Sequence, residues 1–200
     1  MNPSINSLPG TCFSFRLGKI LECEKMTAKI VTVYNQKGGS GKTTTSCNLA
    51  GVLGSRGYKT LLVDLDEQGT ATLSVGAAPD GRPFPAAISN LSRSPRPDRE
   101  IAKFVDDYDV IVIDCPPAIR SNAPSVALLI SDLALIPIGA SGGNLWAVQE
   151  AKRLGLNAQT TNPDLLLRSI ANMDQKVTIV RQIFQAVPDD TEVPMLRTRL

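Results

Sequence analysis

The 200-residue chain has no histidine, which removes imidazole bases, Ser-His-Asp triads and histidine metal ligands together. Any catalysis therefore falls to carboxylates, lysines, backbone amides and a bound metal. Its four cysteines, Cys12, Cys23, Cys47 and Cys115, are scattered and form no C-x-x-C pair. That pattern suggests neither a zinc site nor a disulfide framework, and a reducing cytoplasm is the simple reading. No apolar run approaches the roughly 18 residues of a membrane span, and the first residues carry no apolar signal core. Charge of one sign is also scarce: the net charge is +2 and the pI about 8.4. This permits contact with nucleic acid without announcing it. With 42% hydrophobic residues, the length suits one α/β domain with a full core and is too short for two large ones.

The most informative stretch present is Asn35-Gln36-Lys37-Gly38-Gly39-Ser40-Gly41-Lys42-Thr43-Thr44-Thr45. In a phosphate-binding loop, G-x-x-x-x-G-K-[ST], glycines let backbone N–H groups curl around phosphates, the lysine reaches their oxygens and the hydroxyl takes a place on Mg²⁺. Gln36 stands where the first glycine is expected, yet Gly38, Gly39 and Gly41 keep the backbone permissive. Lys42 and Thr43 fill the chemical positions, and Lys37 is an additional cation. Lys29 to Tyr34 reads as a strand before the loop and Thr44 to Leu53 as a helix after it. Phosphates would then sit at a helix N-terminus, where unpaired N–H groups and the macrodipole favour an anion.

The rest of the chain alternates. Strands are expected at Tyr58–Asp64, Asp109–Asp114, Asp132–Pro137, Leu165–Ala171 and Glu192–Leu196. Helices are expected at Arg99–Asp106, Ser121–Ile130, Asn144–Leu156 and Gln175–Ala186. Gly76 to Asp98 reads as a surface loop with one short helix, Ala86–Leu91. Uniformly apolar strands alternating with helices predict an α/β fold, a doubly wound, mostly parallel sheet flanked by helices, and the phosphate loop after its first strand makes the expected fold that of a P-loop NTPase. Residues 1–25 show no sustained period and are expected to be a disordered tail or upstream extension, with the P-loop domain spanning 26–200.

Two strands end in carboxylates. Ile111-Val112-Ile113-Asp114 has the form of a strand that holds an aspartate rigidly near Mg²⁺ or its water shell. Asp64-Leu65-Asp66-Glu67-Gln68-Gly69 delivers two more carboxylates at the C-terminal end of a strand, where open α/β sheets place their ligands.

The K-G-G-S-G-K-T loop resembles that of the deviant Walker A ATPases, the ParA/MinD superfamily, and the resemblance runs from about Ala28 to Arg199. It implies ATP and Mg²⁺ as cofactors, bound by Lys37, Gly38, Gly39, Ser40, Gly41, Lys42, Thr43 and Thr44, with Thr43, Asp64 and Asp114 at the metal. It further implies that Lys37 crosses a dimer interface to the partner's ATP, so that two nucleotides are sandwiched between two subunits. Lys37, Lys42 and Asp66 become the catalytic set, with Asp66 orienting the attacking water. Asn172 and Met173, just after a strand, fall where similar proteins recognise adenine. Glu67 departs from the family's D-x-D-P-Q-G motif, which has proline at that place.

The function so implied is that of a ParA-like ATPase, slow and partner-stimulated, in the cytoplasm and on the nucleoid. It would dimerise on ATP, bind DNA non-specifically, and partition or position a plasmid, chromosome or protein cargo with a ParB-like partner. Arg168, Lys176, Arg181, Arg197 and Arg199 are the candidate phosphate contacts. Family members continue into a terminal helix after the last strand, and the expectation here is a domain lacking it. A MinD-type membrane-associated regulator is the alternative, disfavoured because no broad apolar face with basic flanks is evident. An iron-protein-like reductase would need two bridging cysteines per subunit, of which only Cys115 suggests itself.

Overall fold

A computed structural model describes residues 27–79, 81–117, 121–139, 144–172 and 192–199. In chain order the elements are β1 (Lys29–Val33), α1 (Lys42–Ser55), β2 (Thr60–Asp64), α2 (Thr70–Gly76), β3 (Ala87–Asn90) and α3 (Pro97–Ala102). They continue with β4 (Val110–Asp114), α4 (Ala123–Leu129), β5 (Leu133–Ile138), α5 (Asn144–Gln159), β6 (Leu166–Ala171) and β7 (Met195–Arg199). The seven strands form one sheet in the order β3-β2-β4-β1-β5-β6-β7, and every pairing is parallel.

Strands of this kind must bury both faces, and the apolar residues divide accordingly. One core contains Ile30, Leu61, Val63, Ile111, Ile113 and Ile136 beneath residues of α3, α4 and α5. The other contains Val31, Val33, Leu62, Val112 and Leu135 beneath α1 and α2. Leu62 and Ile113 are fully buried, and truncating either to alanine is worth about 2–5 kcal/mol. Helix α1, with Thr44, Thr45, Gly51 and Gly54, is poor in strong helix formers, so packing rather than propensity holds it. Gly54 is required there: a Cβ would lie 2.3 Å from the carbonyl oxygen of Pro85.

Three local expectations give way. Ala86–Leu91 is not helical; Ala87–Asn90 pairs with Leu61–Asp64 as edge strand β3, because sheet pairing outweighs the weak helical preference of Ala-Ile-Ser-Asn. Thr70–Gly76 forms helix α2, where no helix is expected. The last strand is Met195–Arg199 rather than Glu192–Leu196, its start displaced past Pro194, which has no N–H for a ladder. The expected helix Gln175–Ala186 and the segment 1–25 lie outside the described residues.

Strand β1 lies between β4 and β5. The chain leaves β1 through α1 on one face and leaves β5 through α5 on the other. This divergence opens a crevice at the C-terminal strand ends, where doubly wound sheets bind ligands.

Candidate nucleotide site

The loop between β1 and α1 occupies that crevice, and hydrogen bonds to distant strands fix its shape. Asn35, buried at the end of β1, donates through Nδ2 to the Pro137 carbonyl of β5 at 2.8 Å. Its Oδ1 accepts from the Lys37 N–H at 3.1 Å. The Lys37 carbonyl in turn accepts from Lys42 Nζ at 2.9 Å and from Ser40 Oγ at 3.2 Å. Gly41, at the N-cap of α1, has φ +88, a conformation that glycine adopts without steric cost. A Cβ on Gly38 or Gly39 would meet nothing within 4 Å, so the loop backbone faces open space.

Lys42 is buried. Burial pulls its pKa below the ordinary lysine range, and the charges of Asp114 and Asp66 oppose that pull. These three groups thus share one electrostatic environment. Thr43 donates its hydroxyl to Asp114 Oδ2 at 2.8 Å, and Ser46 donates to Asp114 Oδ1 at 3.0 Å. Asp114 itself is fully buried. Its pKa is raised to about 6 by burial, against the lowering effect of the Thr43 and Ser46 hydrogen bonds.

Asp64 pairs in register with Asp114 on the neighbouring strand but has different partners. Its Oδ1 accepts from the Asp66 N–H at 3.0 Å. Its Oδ2 accepts from the Thr72 N–H at 2.9 Å and the Thr72 hydroxyl at 2.8 Å. Helix α2 has no capping side chain of its own at Gly69, and Asp64 satisfies the free N–H of its first turn from outside. Asp66 is half-buried and accepts from the Gln68 N–H at 3.0 Å. Asp64 therefore supports the turn that carries Asp66.

The crevice brings Lys37, Ser40, Gly41, Lys42, Thr43, Asp66 and Asp114 together, and Asn172 reaches it from the end of β6 through a bond from its Nδ2 to the Ser40 carbonyl at 3.2 Å. Thr44 is exposed on the first turn of α1. Met173 lies outside the described residues, as do Lys176, Arg181 and the side chains of Arg197 and Arg199. Arg168 is half-buried on β6 and donates to the Leu167 carbonyl. Asn35, Ser46 and Thr72 escaped the motif reading. Asn35 abuts the loop in sequence, whereas Ser46 and Thr72 carry no local signal of their part.

Cys115 does not face outward as a bridging cysteine must; it is 1% exposed within the core under α3, α4 and α5. Burial pushes its thiol well above the ordinary range and that of Cys47 up to about 11, which keeps both protonated and inert near neutral pH.

The donor set fits a magnesium nucleotide. An uncrowded glycine loop, a buried lysine and the hard oxygens of Thr43 and Asp114 are what phosphates and Mg²⁺ require. Among the described residues no cluster of three or more Cys, Asp or Glu could hold a metal by itself. Mg²⁺ characteristically takes only one or two protein oxygens and completes its shell with phosphate and water.

Residues 28–84 match the AAA domain family. The chain is 31% identical to the chromosome partitioning protein ParA of Myxococcus xanthus, over 80% of this chain and 70% of that protein. This chain belongs to the ParA family of P-loop ATPases. Another relative of this ParA-family chain is the maintenance of carboxysome distribution protein A of Halothiobacillus neapolitanus, 30% identical over 84% of this chain and 77% of that one. Among solved structures, the cobyrinic acid a,c-diamide synthase of Mycobacterium smegmatis with bound ATP analog and magnesium superimposes with a TM-score of 0.73. It is 29% identical, covering 86% of each chain.

Proposed function

We propose that this ParA-family protein is a nucleotide-switched positioning ATPase. It binds ATP and Mg²⁺ in the crevice, pairs with a second copy in that state, and holds DNA non-specifically until a ParB-like partner stimulates hydrolysis and releases it. The cargo is a plasmid, a chromosome region or a protein assembly. The observation that carries this reading is the K-G-G-S-G-K-T loop set directly against the buried Asp114, to which its Thr43 donates.

In this account the backbone of Gly38 to Gly41, with Lys42, holds the phosphates, and Thr43 with Asp114 holds Mg²⁺. The metal supplies charge neutralisation at the transferring phosphoryl group. Asp66 orients water, a sufficient device because phosphoryl transfer needs little covalent help from protein. Lys37 acts across the dimer, bringing a cation to the partner's nucleotide. Nucleotide state then shifts the monomer–dimer population.

Light scattering of wild type and Lys37→Ala with Mg-ATP, Mg-ADP or no nucleotide tests the dimer. A doubling of mass with ATP alone, absent in Lys37→Ala, is the expected result. A monomer under all three conditions would remove the reading.

A further inference from the structure

The bond between Asn172 and Ser40 spans 132 positions of sequence and joins the end of β6 to the phosphate loop. Asn172 is 4% exposed, and its own N–H is anchored on the Ile138 carbonyl of β5 at 2.8 Å. The side chain also fills the space beside the next residue: a Cβ on Gly41 would lie 1.5 Å from Asn172 Nδ2 and 2.8 Å from its Cγ. The Ser40–Gly41 peptide is trans, as are the others described. In a planar trans peptide the carbonyl and the following N–H point in opposite directions. Holding the Ser40 oxygen towards β6 therefore turns the Gly41 N–H away from it.

We propose that Asn172 is a positioning residue for the phosphate loop. Its side-chain amide fixes the Ser40–Gly41 peptide so that the Gly41 N–H is presented to phosphate before nucleotide arrives. The effect acts through the loop and is independent of the base, which separates it from an adenine-reading role at the same residue. It is local preorganisation: the peptide orientation is set by the fold and not by the ligand. The inference rests on reading the loop as a nucleotide site.

The test compares wild type, Asn172→Ala and Asn172→Asp by titration with Mg-ATP, Mg-GTP and magnesium tripolyphosphate, which has no base. Hydrogen exchange of segment 36–43 is followed in the nucleotide-free protein, with β2 and β4 as internal controls. Asn172→Asp keeps the shape of the side chain but can place an acceptor against the Ser40 carbonyl. Asn172→Ala should weaken all three ligands by a similar factor, from a few-fold to about tenfold, and Asn172→Asp should weaken them further. Exchange should quicken in 36–43 and not in β2 or β4. Tripolyphosphate binding that is untouched while ATP binding falls, or unchanged exchange in 36–43, would overturn the proposal. A wild type that binds no polyphosphate would overturn the nucleotide reading itself, and the exchange result would still decide whether Asn172 holds the loop.

Discussion

Thr43 on α1 and Asp114 at the end of β4 meet through a 2.8 Å hydrogen bond, on a carboxylate that is fully buried. If Asp114 serves the Mg²⁺ site proposed above, its burial is a stability cost that the fold carries when the cation is absent.

The cost has a sign and a pH window. Folding raises the Asp114 pKa from 3.8 to about 6, so the ionised form disfavours the fold. The penalty is complete above about pH 6 and fades as pH falls towards the unfolded value. Asp114→Asn should stabilise the nucleotide-free protein at pH 8, by on the order of 2 kcal/mol. Thr43 and Ser46 hydroxyls can turn to accept from the new amide. Urea unfolding at pH 8 and pH 5 checks this, with the gain shrinking at pH 5 while ATP hydrolysis is lost at both.

Thr72→Val keeps the shape of the side chain and the N–H bond to Asp64 but deletes the hydroxyl. One acceptor site on the buried Asp64 and the Asn90 amide, 3.2 Å from the hydroxyl, both lose a partner. Unfolding free energy should fall by about 1–3 kcal/mol. Because Asp64 also holds the Asp66 N–H, kcat should fall while ATP affinity changes little, which steady-state kinetics beside a binding titration would separate.

Asp66→Ala removes the proposed water-orienting carboxylate without touching the loop. ATP should still bind and still drive pairing, while turnover drops on the order of 100-fold. Single-turnover phosphate release, with light scattering of the ATP-bound protein, reads both properties. Unchanged turnover would move the water-orienting role elsewhere.

What the sequence revealed and concealed follows from contact range. The loop glycines, Lys42, Thr43 and the strand ending at Asp114 are legible because their spacing is local and chemically constrained. Asn35 bonding to Pro137 and Asn172 bonding to Ser40 depend on β5 lying beside β1 and β6 beside β5, an order that no local pattern encodes. Helix α2 was hidden for a similar reason, since its first turn is satisfied by Asp64 from another element and no capping residue marks its start. Strand β3 offers four residues of mixed propensity and becomes a strand only because β2 presents a free edge.

The most direct test of the nucleotide switch is retention of non-specific DNA by the purified protein with Mg-ATP, Mg-ADP or no nucleotide, at low and high salt, beside Lys37→Ala. The account predicts retention with ATP alone, falling steeply with salt as phosphate contacts are displaced by counterions, and absent in Lys37→Ala. Retention that is equal in all nucleotide states, or dimers with ATP that hold no DNA, would contradict it.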